Sequence, residues 1–161
     1  VYFEIIKGKT ASLLASSCAA GASSTFEDDT LIEKIRLFGE KTGMAFQIKD
    51  DLFDYGNADI GKPTGNDIQE KKLTLPLIYT LNKCDAATKK KLIYIIKNEN
   101  TNKAKVQIVI DTVKQTGGID YATNKMLAYR DEALNLLYEF PKNDVRDALE
   151  ELVRYTTDRI Y

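Results

Sequence analysis

Apolar residues recur at three-, four- and seven-residue steps along almost the whole chain, and only three prolines interrupt them. This spacing lines apolar side chains along one face of a 3.6-residue helix, whereas a strand would alternate every second residue. The chain is therefore expected to be all-α. Helices are predicted at about residues 1–22, 31–53, 77–81, 86–98, 104–116, 119–140 and 144–159. In the first, Ala11, Ala15, Ala19 and Ala22 make a side of small residues that permits close packing. Ser23 to Glu27 reads as a turn. The acidic run Glu27-Asp28-Asp29 reads as capping of the helix that follows, with Asp29 or Thr30 at the cap and Glu33 completing a capping box. Gly39 and Gly43, one turn apart in the second helix, predict close approach of a neighbour. Between Tyr55 and Asn66, Gly56, Gly61, Pro63 and Gly65 exclude regular helix. Pro76 opens the next helix, and Gly117-Gly118 and Pro141 separate the last three.

A length of 161 residues suits one domain, 1–161, with a real core. A formal charge of −1 gives no global field toward nucleic acid or an acidic membrane. No apolar run approaches the roughly 20 residues of a membrane span. Histidine is absent, which excludes Ser-His and Cys-His nucleophile systems and His-ligated zinc. Cys18 and Cys84 form no pair motif and read as free thiols of a reducing, cytoplasmic compartment. The chain opens in mid-pattern, on Val1-Tyr2-Phe3 and Ile5-Ile6, and reads as starting inside a helix.

The sharpest chemical feature is Asp50-Asp51-Leu52-Phe53-Asp54. On a continuous helix Asp50 and Asp54 share a face, and Asp51 stands about 100° round. Three carboxylates repel one another, and the C-terminal end of a helix already carries partial negative charge. The cluster calls for a cation. Hard oxygen ligands without histidine favour Mg2+, which keeps several waters and shares its shell with phosphate. The plain alternative is a solvated acidic helix end. Against it stand Gln47 one turn earlier, the apolar Gly43-Met44-Ala45-Phe46, and a following segment with Lys62, Asp67 and Lys71-Lys72. Lys9-Thr10, by itself, reads as an exposed lysine beside a tolerated threonine.

These strings resemble the trans-isoprenyl (polyprenyl) diphosphate synthase family. The matching segments are Lys9-Thr10-Ala11-Ser12-Leu13, Gly43-Met44-Ala45-Phe46-Gln47-Ile48-Lys49-Asp50-Asp51-Leu52-Phe53-Asp54, Gly61-Lys62-Pro63-Thr64-Gly65-Asn66-Asp67-Ile68, Lys72-Leu73-Thr74-Leu75-Pro76-Leu77 and Gly117-Gly118-Ile119-Asp120-Tyr121-Ala122. Order and spacing agree over nearly the whole chain. The Lys-Leu-Thr-Leu-Pro string is closer to the polyprenyl and geranylgeranyl branches than to the farnesyl branch.

The resemblance implies an isoprenoid-synthase-type helical bundle, a homodimer, and a trans-prenyltransferase of isoprenoid biosynthesis. That enzyme would join isopentenyl diphosphate to an allylic prenyl diphosphate with Mg2+. It implies that Asp50, Asp51 and Asp54 form the second aspartate-rich motif, with Asp50 the main direct metal ligand and Asp67 acting through water. Lys9 and Lys62 would contact the allylic diphosphate, and Lys72 would be a further substrate contact. Thr10 and Gln47 would lie beside the allylic carbon, and Phe46 against the isopentenyl group. The family's first aspartate-rich motif does not occur in these 161 residues. The expectation is a partial bundle lacking the N-terminal helices, inactive by itself, with an exposed apolar patch on residues 1–22 and 31–53. The other readings are a non-catalytic helical subunit of a heteromeric synthase and a plain helical interaction module.

Overall fold

The computed structural model describes residues 1–56 and 64–159. Among these residues every regular element is helical: α1 (Tyr2–Ile6), a π-helical turn (Lys7–Ala11), α2 (Ser12–Ser23), α3 (Asp29–Phe53), α4 (Asn66–Gln69), α5 (Leu75–Lys83), α6 (Ala86–Asn98), α7 (Lys103–Gln115), α8 (Gly118–Tyr138) and α9 (Asp144–Asp158). The chain divides into two compact units. One holds Val1–Lys49 and the C-terminal stretch beginning at Lys125; the other holds Asp50–Asn124.

In the first unit α3 packs against α2 through glycine. A Cβ on Gly43 would lie 2.6 Å from the Ala11 Cα, and one on Gly39 would lie 2.7 Å from the Leu14 carbonyl oxygen. The close approach expected from the Gly39/Gly43 spacing is therefore present, and Ala11, Ala15 and Ala22 are buried. On another face of α3, Phe38 joins Ala133, Leu134, Leu137 and Val153 in a core, flanked by the ion pair Lys41–Glu132. Asp28 caps α3: its Oδ1 accepts from the Thr30 amide at 2.8 Å. The cap is thus Asp28, within the acidic run but not at Asp29 or Thr30. Glu33 pairs with Arg36 instead of closing a capping box, because the guanidinium one turn on offers it two donors.

The second unit is built on Ile68, Leu77, Leu92, Ile95, Val109 and Val113, with Tyr55 buried among them. Asp85 caps α6 and Asn102 caps α7, each accepting two backbone N–H groups of its helix. Pro76 stands in the first turn of α5, where its missing N–H leaves no bond unmade. Gly117 adopts φ +78° after α7, and a Cβ on Gly118 would lie 2.6 Å from the Pro76 carbonyl oxygen. That contact explains the glycine pair between α7 and α8.

The exposed apolar residues only partly follow expectation. Ile5 and Leu13 are exposed, but α3 exposes no large apolar side chain, since its faces pack on α2 and on the Ala133–Leu137 stretch of α8. Val145, Leu152 and Tyr155 of α9 are exposed instead.

Candidate functional site

Lys9 and Thr10 do not sit in regular α-helix. They lie in the π-helical turn, where the Ser12 amide donates to the Lys7 carbonyl five residues back. The Gly8 carbonyl is taken by the Ser12 hydroxyl at 2.9 Å, so the wider register leaves that acceptor satisfied. Single π turns inside α-helices are frequent at functional sites. Thr10 is half-buried, and its hydroxyl donates to the Gln47 Oε1 at 2.8 Å. Gln47 itself is buried on α3. Lys9 is exposed on the same turn. The turn is anchored by Lys7, whose ammonium lies 3.1 Å from the buried Glu40 carboxylate. Arg36 reaches Glu40 at 3.1 Å as well.

Phe46 is half-buried, and the Arg159 guanidinium lies 4.3 Å from its ring centroid, within cation–π range. Burial, then the nearby Arg159 charge, lowers the Lys49 pKa, with Asp158 partly offsetting them. Nothing in the local spacing of Phe46 points to Arg159, because they are far apart in sequence. The same holds for Lys7 and Glu40.

In the second unit the acidic motif straddles the end of its helix. α3 ends at Phe53, and residues 54 and 55 form a turn, closed by bonds from the Tyr55 amide to Leu52 and the Gly56 amide to Phe53. Asp54 therefore stands just past the last residue of α3, in the turn that ends the helix. Asp50 is exposed, whereas Asp51 and Asp54 are buried. The Asp54 Oδ2 accepts from the Asp67 amide at 3.1 Å. Burial pushes the Asp54 carboxyl up to about 6, opposed by backbone amides of Asp67, Asn66 and Ile68 and reinforced by the Asp67 charge. Neighbouring Tyr55 is also pushed up, chiefly by burial, and its hydroxyl is 2.6 Å from the Thr74 hydroxyl.

Asp67 stands in the first turn of α4, an element absent from the sequence reading. The signal for it was Gly65 followed by Asn66 and Asp67. Lys72 is exposed, and its ammonium reaches the Asp67 Oδ1 at 3.3 Å and also pairs with Glu70. Lys62 lies outside the described residues. Among the described residues no three acidic or thiol side chains converge on one point as a ready-made metal cage. The donor set nevertheless suits a hard cation: the carboxylates of the motif offer only oxygen, and magnesium needs one or two carboxylates beside water and phosphate.

A family model described as Polyprenyl synthetase matches residues 1–113. The chain is 33% identical over 162 residues to heptaprenyl diphosphate synthase component 2 of Geobacillus stearothermophilus, covering 99% of this chain and 49% of that protein. Among solved structures it is similar to geranylgeranyl pyrophosphate synthase from Bacteroides thetaiotaomicron, with TM-score 0.88 and 38% identity, covering 98% of this chain and 52% of that one. It is also similar to polyprenyl synthase from Caulobacter crescentus CB15, a complex with calcium and isoprenyl diphosphate. There the TM-score is 0.88 and the identity 34%, covering 99% of this chain and 49% of that one. The chain thus spans about half the length of these relatives. No helix among the described residues is long and apolar enough to cross a membrane.

Proposed function

The chain belongs to the polyprenyl synthetase family, and from that premise we propose that it carries part of the active site of a trans-prenyltransferase. The observation that carries this reading is the end of α3: Asp50-Asp51 at the helix terminus, and Asp67 brought back to the Asp54 carboxylate by the 64–67 turn. The reaction proposed is condensation of isopentenyl diphosphate with an allylic diphosphate. The allylic C–O bond breaks and its electron pair leaves with diphosphate. The terminal alkene carbon of isopentenyl diphosphate bonds to the allylic carbon. A proton is then lost from carbon, and the departing diphosphate can accept it. No histidine is needed.

Mg2+ when bound supplies positive charge that stabilises the leaving diphosphate. Asp50 would hold it directly, with Asp51 beside it and Asp67 acting through water. Lys9 and Lys62 would bind the allylic diphosphate, and preorganised charge of this kind is a large part of catalysis by such sites. The Thr10 hydroxyl donates its hydrogen to Gln47, which leaves its oxygen lone pairs available, an arrangement suited to the cationic allylic carbon. Phe46 would pack against the isopentenyl group, and Lys72 would hold Asp67 as well as face substrate. The parent enzyme would be a cytoplasmic homodimer. The 161 residues alone contain one aspartate-rich motif, so they would bind Mg2+ and diphosphate without turnover.

A second reading, a helical subunit of a heteromeric synthase, is favoured by the name "component 2" of one relative. The test is calorimetry with Mg2+ and inorganic diphosphate. Wild type should bind diphosphate only with the cation, and Asp50→Ala should weaken binding by about tenfold or more. Cation-independent or absent binding would sink the prenyltransferase reading. Turnover by these 161 residues without a partner chain would sink both their proposed inactivity and the subunit reading.

A further inference from the structure

Residue 54 is bonded twice to the turn that carries Asp67. The Gly65 amide donates to the Asp54 carbonyl oxygen at 2.9 Å, and the Asp67 amide donates to the Asp54 Oδ2 at 3.1 Å. The amides of Asn66 and Ile68 also act on the same carboxylate. A carboxylate oxygen that accepts from a backbone N–H is oriented by it, as at a helix N-terminus. Its lone pairs point into the turn.

The turn is fixed from its other sides too. Gly65 has φ +82°, and a Cβ there would lie 2.5 Å from the Val106 Cγ1. Ile68 is fully buried. The Gln69 carbonyl accepts from the Asn100 side-chain amide, and the Lys71 ammonium donates to the Lys97 carbonyl at 3.0 Å. Lys71 does so from a left-handed backbone, φ +59°, a conformation uncommon outside glycine. The Asp67 backbone is thereby held in one place while its side chain stays half-exposed. The last turn of α3 and the start of α4 are joined at residue 54, and no three carboxylates converge among the described residues.

We propose that Asp54 is a positioning residue, which fixes Asp67 through the backbone of the 65–67 turn and does not itself ligate the cation. The last step, that Asp67 serves a cation–diphosphate complex, rests on the functional reading above. The first step does not, and can be measured in metal-free protein.

The experiment compares wild type, Asp54→Asn and Asp54→Ala by amide hydrogen exchange without metal, then by calorimetry with Mg2+ and inorganic diphosphate. Asparagine keeps an acceptor oxygen at the same reach, so its Asp67 amide should exchange within about threefold of wild type. Alanine should speed that exchange by about tenfold, with the Leu77 and Val109 amides unchanged as proof of folding. Binding should follow the same order, with Asp54→Asn within about threefold of wild type and Asp54→Ala about tenfold weaker. Equal weakening by both variants, with the Asp67 amide still protected in Asp54→Asn, would make Asp54 a direct ligand and overturn the proposal. Unchanged Asp67 protection in Asp54→Ala would overturn it as well. Should Asp50→Ala bind as tightly as wild type, the functional reading fails, and with it the link from Asp67 to a cation; the exchange result then decides the structural step separately.

Discussion

The Thr10 hydroxyl donates to the Gln47 side-chain oxygen across 2.8 Å, tying the π-helical turn of the first helix to α3. The bond joins residues 37 apart and is partly buried. Removing the donor while keeping the shape leaves a buried oxygen short of one partner. Thr10→Val should therefore cost about 1–2 kcal/mol in urea unfolding. Pairing it with Gln47→Leu should recover part of that loss. Strict additivity of the two substitutions would mean that the bond contributes nothing.

Gly43 and Gly21 should respond to alanine with opposite sign. The Gly43 Cβ would meet the Ala11 Cα at 2.6 Å, which is backbone and cannot move aside cheaply. Gly43→Ala should destabilise by about 2–3 kcal/mol. A Cβ on Gly21 meets nothing within 4 Å, and Gly21 lies in α2. Gly21→Ala should stabilise by up to about 1 kcal/mol. Thermal melts of the two variants check the contrast, and equal shifts would remove the packing argument.

Glu40 makes the fold sensitive to acid. Burial alone would raise its pKa, but hydrogen bonds and charges from Lys7 and Arg36 outweigh burial and hold it below the ordinary glutamate value. The folded chain then binds the proton less readily than the unfolded one. The stabilisation is complete above the unfolded value of about 4.3 and is lost as pH falls through the folded value. Wild type should lose more stability than Glu40→Gln between about pH 5 and pH 3. Parallel stability profiles for the two proteins would contradict this.

Gly65 should be the least tolerant position beside the acidic motif. Alanine there meets both a left-handed backbone and the Val106 methyl at 2.5 Å. Gly65→Ala should destabilise the second unit by about 2 kcal/mol or more. It should also speed Asp67 amide exchange, read by mass spectrometry at neutral pH. A variant as stable as wild type would show that the turn can shift freely.

The all-helical class was legible in the chain, because a 3.6-residue apolar period depends only on neighbours along the backbone. So were the glycine contacts of Gly39 and Gly43, the breaks at Pro76 and Gly117-Gly118, and the family, carried by motifs that are contiguous strings. Helix ends were less legible. Asp28 competes with Asp29 and Thr30 for one cap, and only backbone geometry chooses among them. The π turn was not legible at all: Lys7–Ala11 reads as ordinary helix, and its register depends on how Ala11 meets Gly43 and how Ser12 takes up the Gly8 carbonyl. The partners of the site residues were hidden for the same reason. Glu40 with Lys7, Phe46 with Arg159 and Asp54 with Asp67 are separated in sequence, so their meeting is a product of packing. The sequence by itself determined which carboxylates, lysines and amides the chain carries and in what order. Tertiary structure alone decided their states: Asp50 exposed, Asp51 buried, and the Asp54 carboxylate turned to the Asp67 amide, because burial and hydrogen bonding arise only when distant segments close on one another.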